Sequence, residues 1–247
     1  MTATALITGS GGLPLIDALP VTDRSLKTPY GPAAGPVRAG NLGAGRLIGL
    51  PRHGEPRGLA PHAVNYRANL WLLKQMGAER VAATYTVGSI DPGLVPGDLV
   101  LPHQVIDYTW GRAHTFDESG GRHVDFTEPF DAGLRLAAAE AAERIGLRPA
   151  LGGVYGCTQG PRLETAAEID RLERDGCTLV GMTAMPEVGL ARELGLPVLG
   201  VCIVVNPAAG RGPDPTRIDL AALEKDRAAG LAGAGRLIAA LLGLESG

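Results

Sequence analysis

Residues 198–205 read VLGVCIVV, an almost unbroken apolar run rich in β-branched side chains. Branching at Cβ favours extended backbone, and a strand with no polar alternation has no face to offer water. Such a strand sits in the middle of a sheet and is buried on both faces, so cover is needed on either side of that sheet. Further strands are expected at 3–8, 47–51, 81–86, 98–106, 154–158 and 179–182, and helices at 62–76, 132–145, 164–169, 186–194 and 220–242. In the first of these helices Val64, Ala68, Trp71, Leu72 and Gln75 recur at three- and four-residue steps until Gly77 stops it. Residues 14–45 are rich in Gly and Pro and read as irregular with a hairpin, and 110–130 read as a long polar loop. The alternation of strands and helices gives an α/β fold: one domain, residues 1–247, with a central mixed β-sheet flanked by helices.

Composition removes several classes of function. The net charge is −3 and no basic run is present, which argues against a nucleic-acid surface. Cys157, Cys177 and Cys202 are odd in number and widely spaced, which fits neither a disulfide framework nor a zinc site, so they read as reduced, buried thiols. His114 and His123 lack the close spacing of metal ligands. No apolar run approaches the roughly 20 residues that span a bilayer, and no basic segment precedes a longer apolar core at the start. A cytoplasmic protein without membrane or nucleic-acid partners, and without a metal, is the expectation.

Chemistry-bearing residues gather where strands end. In VYGCTQGPRLETAAE, at 154–168, a short strand passes through Gly160-Pro161 into a helix, with the carboxylate Glu164 at the turn. In open α/β sheets, ligands bind at the carboxyl ends of strands. The plainer role for Glu164 is to charge a helix N-terminus, where acids are favoured. After the first strand, Gly9-Ser10-Gly11-Gly12 can bring backbone amides and a hydroxyl close to an anion; it is neither a Walker loop nor a dinucleotide fingerprint. Arg52-His53 follows the strand at 47–51, and a guanidinium there presents a fork of donors to an oxyanion. Thr86, Thr183 and Asn206 stand at three further strand ends. Together these describe one cleft with an anion end and an amide-plus-carboxylate end.

With these residues in place, the chain resembles the trimeric purine nucleoside phosphorylases and methylthioadenosine phosphorylases over nearly its whole length. The resemblance is carried by RHG at Arg52, VNYRANLWLLK at Val64, VGSI at Val87, GPRLETAAEI at Gly160 and GMTAMPEVGLARELGLP at Gly181. Within that group it is most similar to the bacterial methylthioinosine phosphorylases, which also carry QGPRLET and VVNPAAG. The resemblance implies the nucleoside phosphorylase fold, a homotrimer, a purine nucleoside substrate, inorganic phosphate as co-substrate, and no cofactor. It implies that Ser10, Arg52, His53, Thr86 and Thr183 hold phosphate, that Met182 packs under the sugar, and that Leu163 binds substrate. Two departures stand out: the order Gly-Ser-Gly-Gly places the loop hydroxyl differently from methylthioadenosine enzymes, and Tyr85 stands where those enzymes have a phosphate-contacting Thr.

By the same resemblance Glu164 and Asn206 act on the base. The pair matches the 6-oxopurine enzymes, whereas adenine-specific relatives carry two Asp residues where this chain has Asn206 and Ala208. A carboxylate accepts a hydrogen bond from N1–H of hypoxanthine, which adenine lacks. Purine enzymes of the family place a 5′-hydroxyl-binding His fourteen residues after the Asn; here that position is Leu220, with Leu223 one turn further on. Apolar residues there suit a methylthio group better than a hydroxyl. His123 matches a residue that the family donates across the subunit interface towards the 5′ end. The expected reaction is phosphorolysis of 5′-methylthioinosine to hypoxanthine and 5-methylthioribose 1-phosphate. The alternatives are phosphorolysis of inosine or guanosine, phosphorolysis of methylthioadenosine, and, in another class, a non-catalytic nucleoside sensor.

Overall fold

The apolar run at 198–205 lies within a ten-residue strand, Val198–Pro207, in a computed structural model. Its side chains alternate between two cores. Val198, Cys202 and Val204 pack with Leu70, Leu73, Val188 and Leu190; Leu199, Val201 and Ile203 pack with Ala138, Ala141, Leu237 and Ile238. Each large aliphatic side chain so buried contributes on the order of 1.5–3 kcal/mol, so this one strand ties both layers to the sheet. The structure describes residues 2–23, 27–43, 45–56, 58–120, 123–218 and 222–244.

In chain order the strands are β1 (Ala3–Thr8), β2 (Val21–Asp23), β3 (Lys27–Thr28), β4 (Gly31–Pro32), β5 (Val37–Leu42), β6 (Gly45–Pro51), β7 (Arg80–Ser89), β8 (Leu99–Leu101), β9 (Gln104–Asp107), β10 (Ala150–Leu151), β11 (Val154–Cys157), β12 (Leu179–Gly181) and β13 (Val198–Pro207). The helices are α1 (Pro14–Asp17), α2 (Tyr66–Gln75), α3 (Ala132–Arg144), α4 (Ala166–Arg174), α5 (Glu187–Glu193) and α6 (Ala222–Leu241). The main sheet is mixed and runs β10-β8-β13-β7-β1-β6-β5-β2, while β12 joins β7 and carries β11 and β9 beyond it. Helices α2 and α5 supply one core, and α3 and α6 the other.

Strand β7 is the pivot. Its first half pairs parallel with β1, and its last two residues pair antiparallel with β12, Leu179 opposite Ser89 and Val180 opposite Gly88. Because β6, β1, β7 and β13 are mutually parallel, their carboxyl ends open on one side of the sheet. The end of β12 folds back towards the same place.

Several elements depart from the expected bounds. The strand expected at 98–106 is two strands, β8 antiparallel to β13 and β9 parallel to β11. Pro102 lies between them and has no N–H to continue a ladder. The expected strand at 81–86 extends to Ser89, and 14–45 holds regular strands as well as the β3–β4 hairpin. The helix expected from Glu164 begins at Ala166, with Thr165 as its N-cap.

Candidate active site

The strand ends enclose a cleft of about 790 Å³, lined by nine of the residues singled out from the sequence: Ser10, Arg52, His53, Thr86, Thr183, Met182, Leu163, Glu164 and Asn206. Gly9, Ile218 and Arg227 line it too. His123 is exposed and is not among the lining residues. Leu220 and the side chain of Leu223 lie outside the described residues.

At the anion end, Arg52 is completely buried. Its Nε donates to Glu187 Oε2 at 2.6 Å, Nη2 to Glu187 Oε1 at 2.7 Å, and Nη1 to the carbonyl of Thr84 at 3.1 Å. Tyr85 lies under the guanidinium, 4.8 Å from carbon to ring centroid, and donates its hydroxyl to Glu187 Oε1 at 2.9 Å. Burial opposes the Arg52 charge, but the Glu187 carboxylate outweighs it and holds the guanidinium above its ordinary pKa. The guanidinium therefore keeps its charge although it is buried. Three of five guanidinium N–H groups are used by these bonds, which leaves one hydrogen on each Nη outside them. Gly9 is needed beside it, since a Cβ there would lie 2.9 Å from Arg52 Nη1.

Tyr85 belongs to the core and not to the cleft wall, whereas Thr86 lines the cleft. The position occupied by Thr in methylthioadenosine enzymes thus serves here to hold Glu187, and the cleft hydroxyl is that of Thr86. His53 Nδ1 lies 2.7 Å from the carbonyl of Leu59, which places the ring proton on Nδ1. Thr183, at the end of β12, is buried, and its N–H donates to Tyr155 Oη at 3.4 Å.

At the other end, the helix-capping role belongs to Glu168. Its carboxylate accepts from the N–H of Thr165 while Thr165 Oγ1 accepts from the N–H of Glu168, a reciprocal capping box. Glu164 is released from that task and points into the cleft, where its Oε1 accepts from Thr158 Oγ1 at 2.5 Å. Across from it, the β7–β13 register slips between Val204 and Asn206, so that Asn206 pairs with Gly88. A bulge of this kind re-aims the following side chain, and it brings Asn206 onto the cleft wall. Asn206 Nδ2 donates to the carbonyl of Pro207 at 2.5 Å.

Three functional features were missed from the sequence. Glu187 lies inside the helix expected at 186–194 and was not singled out; the signal that could have found it is that an Arg at the end of an inner strand needs a carboxylate partner. Thr158 sits six residues before Glu164, too far for any local pattern. Arg112 lies in the long polar loop and bonds to both loops that flank the cleft. Among the described residues no group of three or more His, Cys, Asp or Glu is placed to hold a metal, and no helix is long and apolar enough to cross a membrane.

The family model described as the Phosphorylase superfamily matches residues 3–242. The chain is 49% identical over 221 residues to a probable S-methyl-5'-thioinosine phosphorylase of Pseudomonas syringae pv. tomato, covering 85% of this chain and 87% of that protein. It is 42% identical over 214 residues to a probable 6-oxopurine nucleoside phosphorylase of Moorella thermoacetica, covering 85% of this chain and 82% of that one. Among solved structures, methylthioadenosine phosphorylase from Schistosoma mansoni in complex with adenine matches with a TM-score of 0.91 and 28% identity, over 99% of this chain and 92% of that one.

Proposed function

The chain belongs to the Phosphorylase superfamily, and on that premise we propose that it cleaves S-methyl-5′-thioinosine with inorganic phosphate, releasing hypoxanthine and 5-methylthioribose 1-phosphate. The observation that carries the choice of a 6-oxopurine over adenine is the base end; the choice of the methylthio nucleoside is supported by the 49% identical relative. Glu164, freed from helix capping and oriented by Thr158, faces a 6-oxopurine N1–H, and Asn206 donates to N7 and engages the O6 edge. Adenine offers no N1–H, so a nucleoside of adenine leaves Glu164 desolvated without a donor.

Phosphate binds at the opposite end on Ser10, His53, Thr86, Thr183 and the outward N–H groups of Arg52. The glycosidic bond loosens first, giving an oxocarbenium-like sugar over Met182. Phosphate on the far face stabilises that positive charge and attacks C1′, while Asn206 stabilises the negative charge that gathers on the purine. Catalysis is then chiefly positioning and electrostatics. At the 5′ end, Ile218 lines the cleft, and Leu220 and Leu223, which fall outside the described residues, are the residues we assign to the methylthio group. The working form is a cytoplasmic homotrimer in which the exposed His123 reaches the neighbouring subunit's 5′ end.

The second reading, phosphorolysis of inosine or guanosine, uses the same base and phosphate groups and is in keeping with the 6-oxopurine relative. Side-by-side assays of methylthioinosine, inosine and methylthioadenosine, with and without phosphate, separate these. Methylthioinosine should give the highest kcat/KM, and hypoxanthine should form only with phosphate. A higher value for inosine moves the assignment to the second reading. Nucleoside binding without phosphate-dependent cleavage would mark a sensor.

A further inference from the structure

We propose that Arg112 is a positioning residue that sets the spacing between the base-recognition loop and the sugar–phosphate loop; this rests on the phosphorolysis reading above. Arg112 belongs to the polar loop between β9 and α3 and is 9% exposed. Its Nη2 donates to the carbonyls of Thr158 and Gln159, at 3.3 and 2.8 Å, on the loop that carries Glu164. Its Nη1 donates to the carbonyls of Met182 and Met185, at 2.9 and 2.6 Å, on the loop that carries Thr183. Nε adds a bond to Gln159 Oε1 at 3.2 Å, and the Tyr66 ring lies 5.7 Å beneath the guanidinium. Among the described residues every hydrogen-bond partner of this cation is a neutral oxygen, and Arg112 is not among the residues that line the cleft.

The two loops leave paired strands. Strands β11 and β12 run in register as far as Cys157 opposite Gly181, and Thr158 N–H donates to the Gly181 carbonyl at 2.8 Å. Beyond that point no ladder holds them, and the reacting groups lie on the diverging parts. The loops also touch: a Cβ at Gly160 would lie 2.5 Å from Met182 Sδ. The Met185 N–H donates back to Cys157 Sγ at 3.2 Å, and Arg112 adds the tie between the loops themselves, with one prong of its fork on each. A planar guanidinium can bridge two carbonyl pairs at a fixed separation, and a flexible ammonium cannot. Base and phosphate must straddle C1′ at one distance for in-line transfer, so a change in loop spacing acts on the chemical step and leaves each subsite able to bind.

Two variants test this, Arg112→Lys and Arg112→Ala. Misplacement by about 1 Å costs about 10²-fold in rate, so kcat for methylthioinosine should fall by about that factor in Arg112→Lys, with both KM values within about threefold. Added guanidinium should restore kcat in Arg112→Ala, and ammonium should not. Hydrogen exchange should quicken together at residues 158–164 and 182–185 and stay unchanged in β13. A lower thermal midpoint with kcat preserved in the folded fraction overturns the proposal in favour of simple support. A rise confined to the nucleoside KM overturns it in favour of a base-loop brace, and unchanged exchange in either loop overturns the tie itself. If the wild type releases no hypoxanthine, the phosphorolysis reading fails and takes the catalytic consequence with it, while the exchange comparison still decides whether Arg112 joins the loops.

Discussion

Replacing Glu187 by Gln keeps the shape of the anion end and removes its counter-charge. The new amide oxygen can still accept one hydrogen bond from Arg52, but the guanidinium, completely buried, loses the carboxylate that it meets at 2.6 and 2.7 Å. Breaking a buried pair by removing one partner costs about 3–5 kcal/mol. For a chain of this size each kcal/mol moves the thermal midpoint by roughly 2–4 °C, so the variant should melt roughly 6–20 °C lower in phosphate-free buffer. Phosphate should then repair what the substitution removed, because the dianion meets an unpaired cation where the wild type offers one already held by Glu187. At a ligand concentration of 100 Kd, binding adds about 2.7 kcal/mol. A rise of roughly 5–11 °C follows from the same conversion. The assay is the thermal midpoint of both proteins over a phosphate series, with chloride matching the ionic strength. The reasoning fails if the phosphate-induced rise in Glu187→Gln is no larger than in the wild type, since Arg52 would then not face the phosphate. It also fails if the phosphate-free midpoint is unchanged.

Three further outcomes are expected. Thr158→Val removes the hydroxyl that orients Glu164; kcat/KM for methylthioinosine should fall ten- to a hundredfold, as for a hydrogen bond to a charged group worth roughly 1.5–3 kcal/mol, with Thr158→Ser retaining activity. An equal fall for methylthioadenosine would show that the hydroxyl serves the loop and not base choice. Leu220→His should move the methylthioinosine-to-inosine ratio of kcat/KM by about one to two decades towards inosine, through an apolar wall lost (about 1–2 kcal/mol) and a hydroxyl partner gained (about 1 kcal/mol); an unchanged ratio with a lower midpoint would make Leu220 a core contact. Burial pushes the Cys157 thiol up from 9.0 to about 12 and raises Cys202 and Cys177 as well. The folded chain therefore keeps protons that the unfolded chain loses, so this contribution to stability is intact below pH 9 and declines from there towards pH 12; a thermal midpoint that holds steady or rises over that range would contradict it.

The sheet was legible because its signals are local. The run at 198–205 declares a strand covered on both faces, and the side chains of β13 do alternate between two cores. Pro102 was as visible, yet the segment around it read as one strand, because apolar content outweighed a missing donor. The cleft was legible as a set of strand ends, and nine of the twelve residues singled out line it. What the sequence hid are the bonds between distant segments. Arg52 and Glu187 are 135 residues apart, and Arg112 and Met185 are 73 apart. No period or spacing encodes such pairs; they follow from the antiparallel pairing of β12 with the end of β7, which returns the chain to the strand ends. Tyr85 shows the same limit at one position: the sequence shows a substitution in a phosphate-contacting place, and only the packing shows that its hydroxyl serves Glu187.

The two buried arginines beside the cleft answer different demands. An anion site must survive while empty, and a bare guanidinium in a dry wall would cost several kcal/mol. Glu187 removes that cost permanently, which also denies phosphate a full counter-charge. A phosphate that must leave its site as a nucleophile gains from this, because tight ground-state binding of the attacking group lowers reactivity without lowering the transition state. On the proposed assignment of phosphate to this end, the remaining N–H groups of Arg52 and the hydroxyls of Ser10, Thr86 and Thr183 would orient the dianion more than capture it. Arg112 has no such partner among the described residues, and its charge is spread over carbonyls of two loops. A carboxylate there would fix the cation to one loop. Neutral acceptors on both sides make its stability depend on the two loops being together, which is the arrangement the reaction needs.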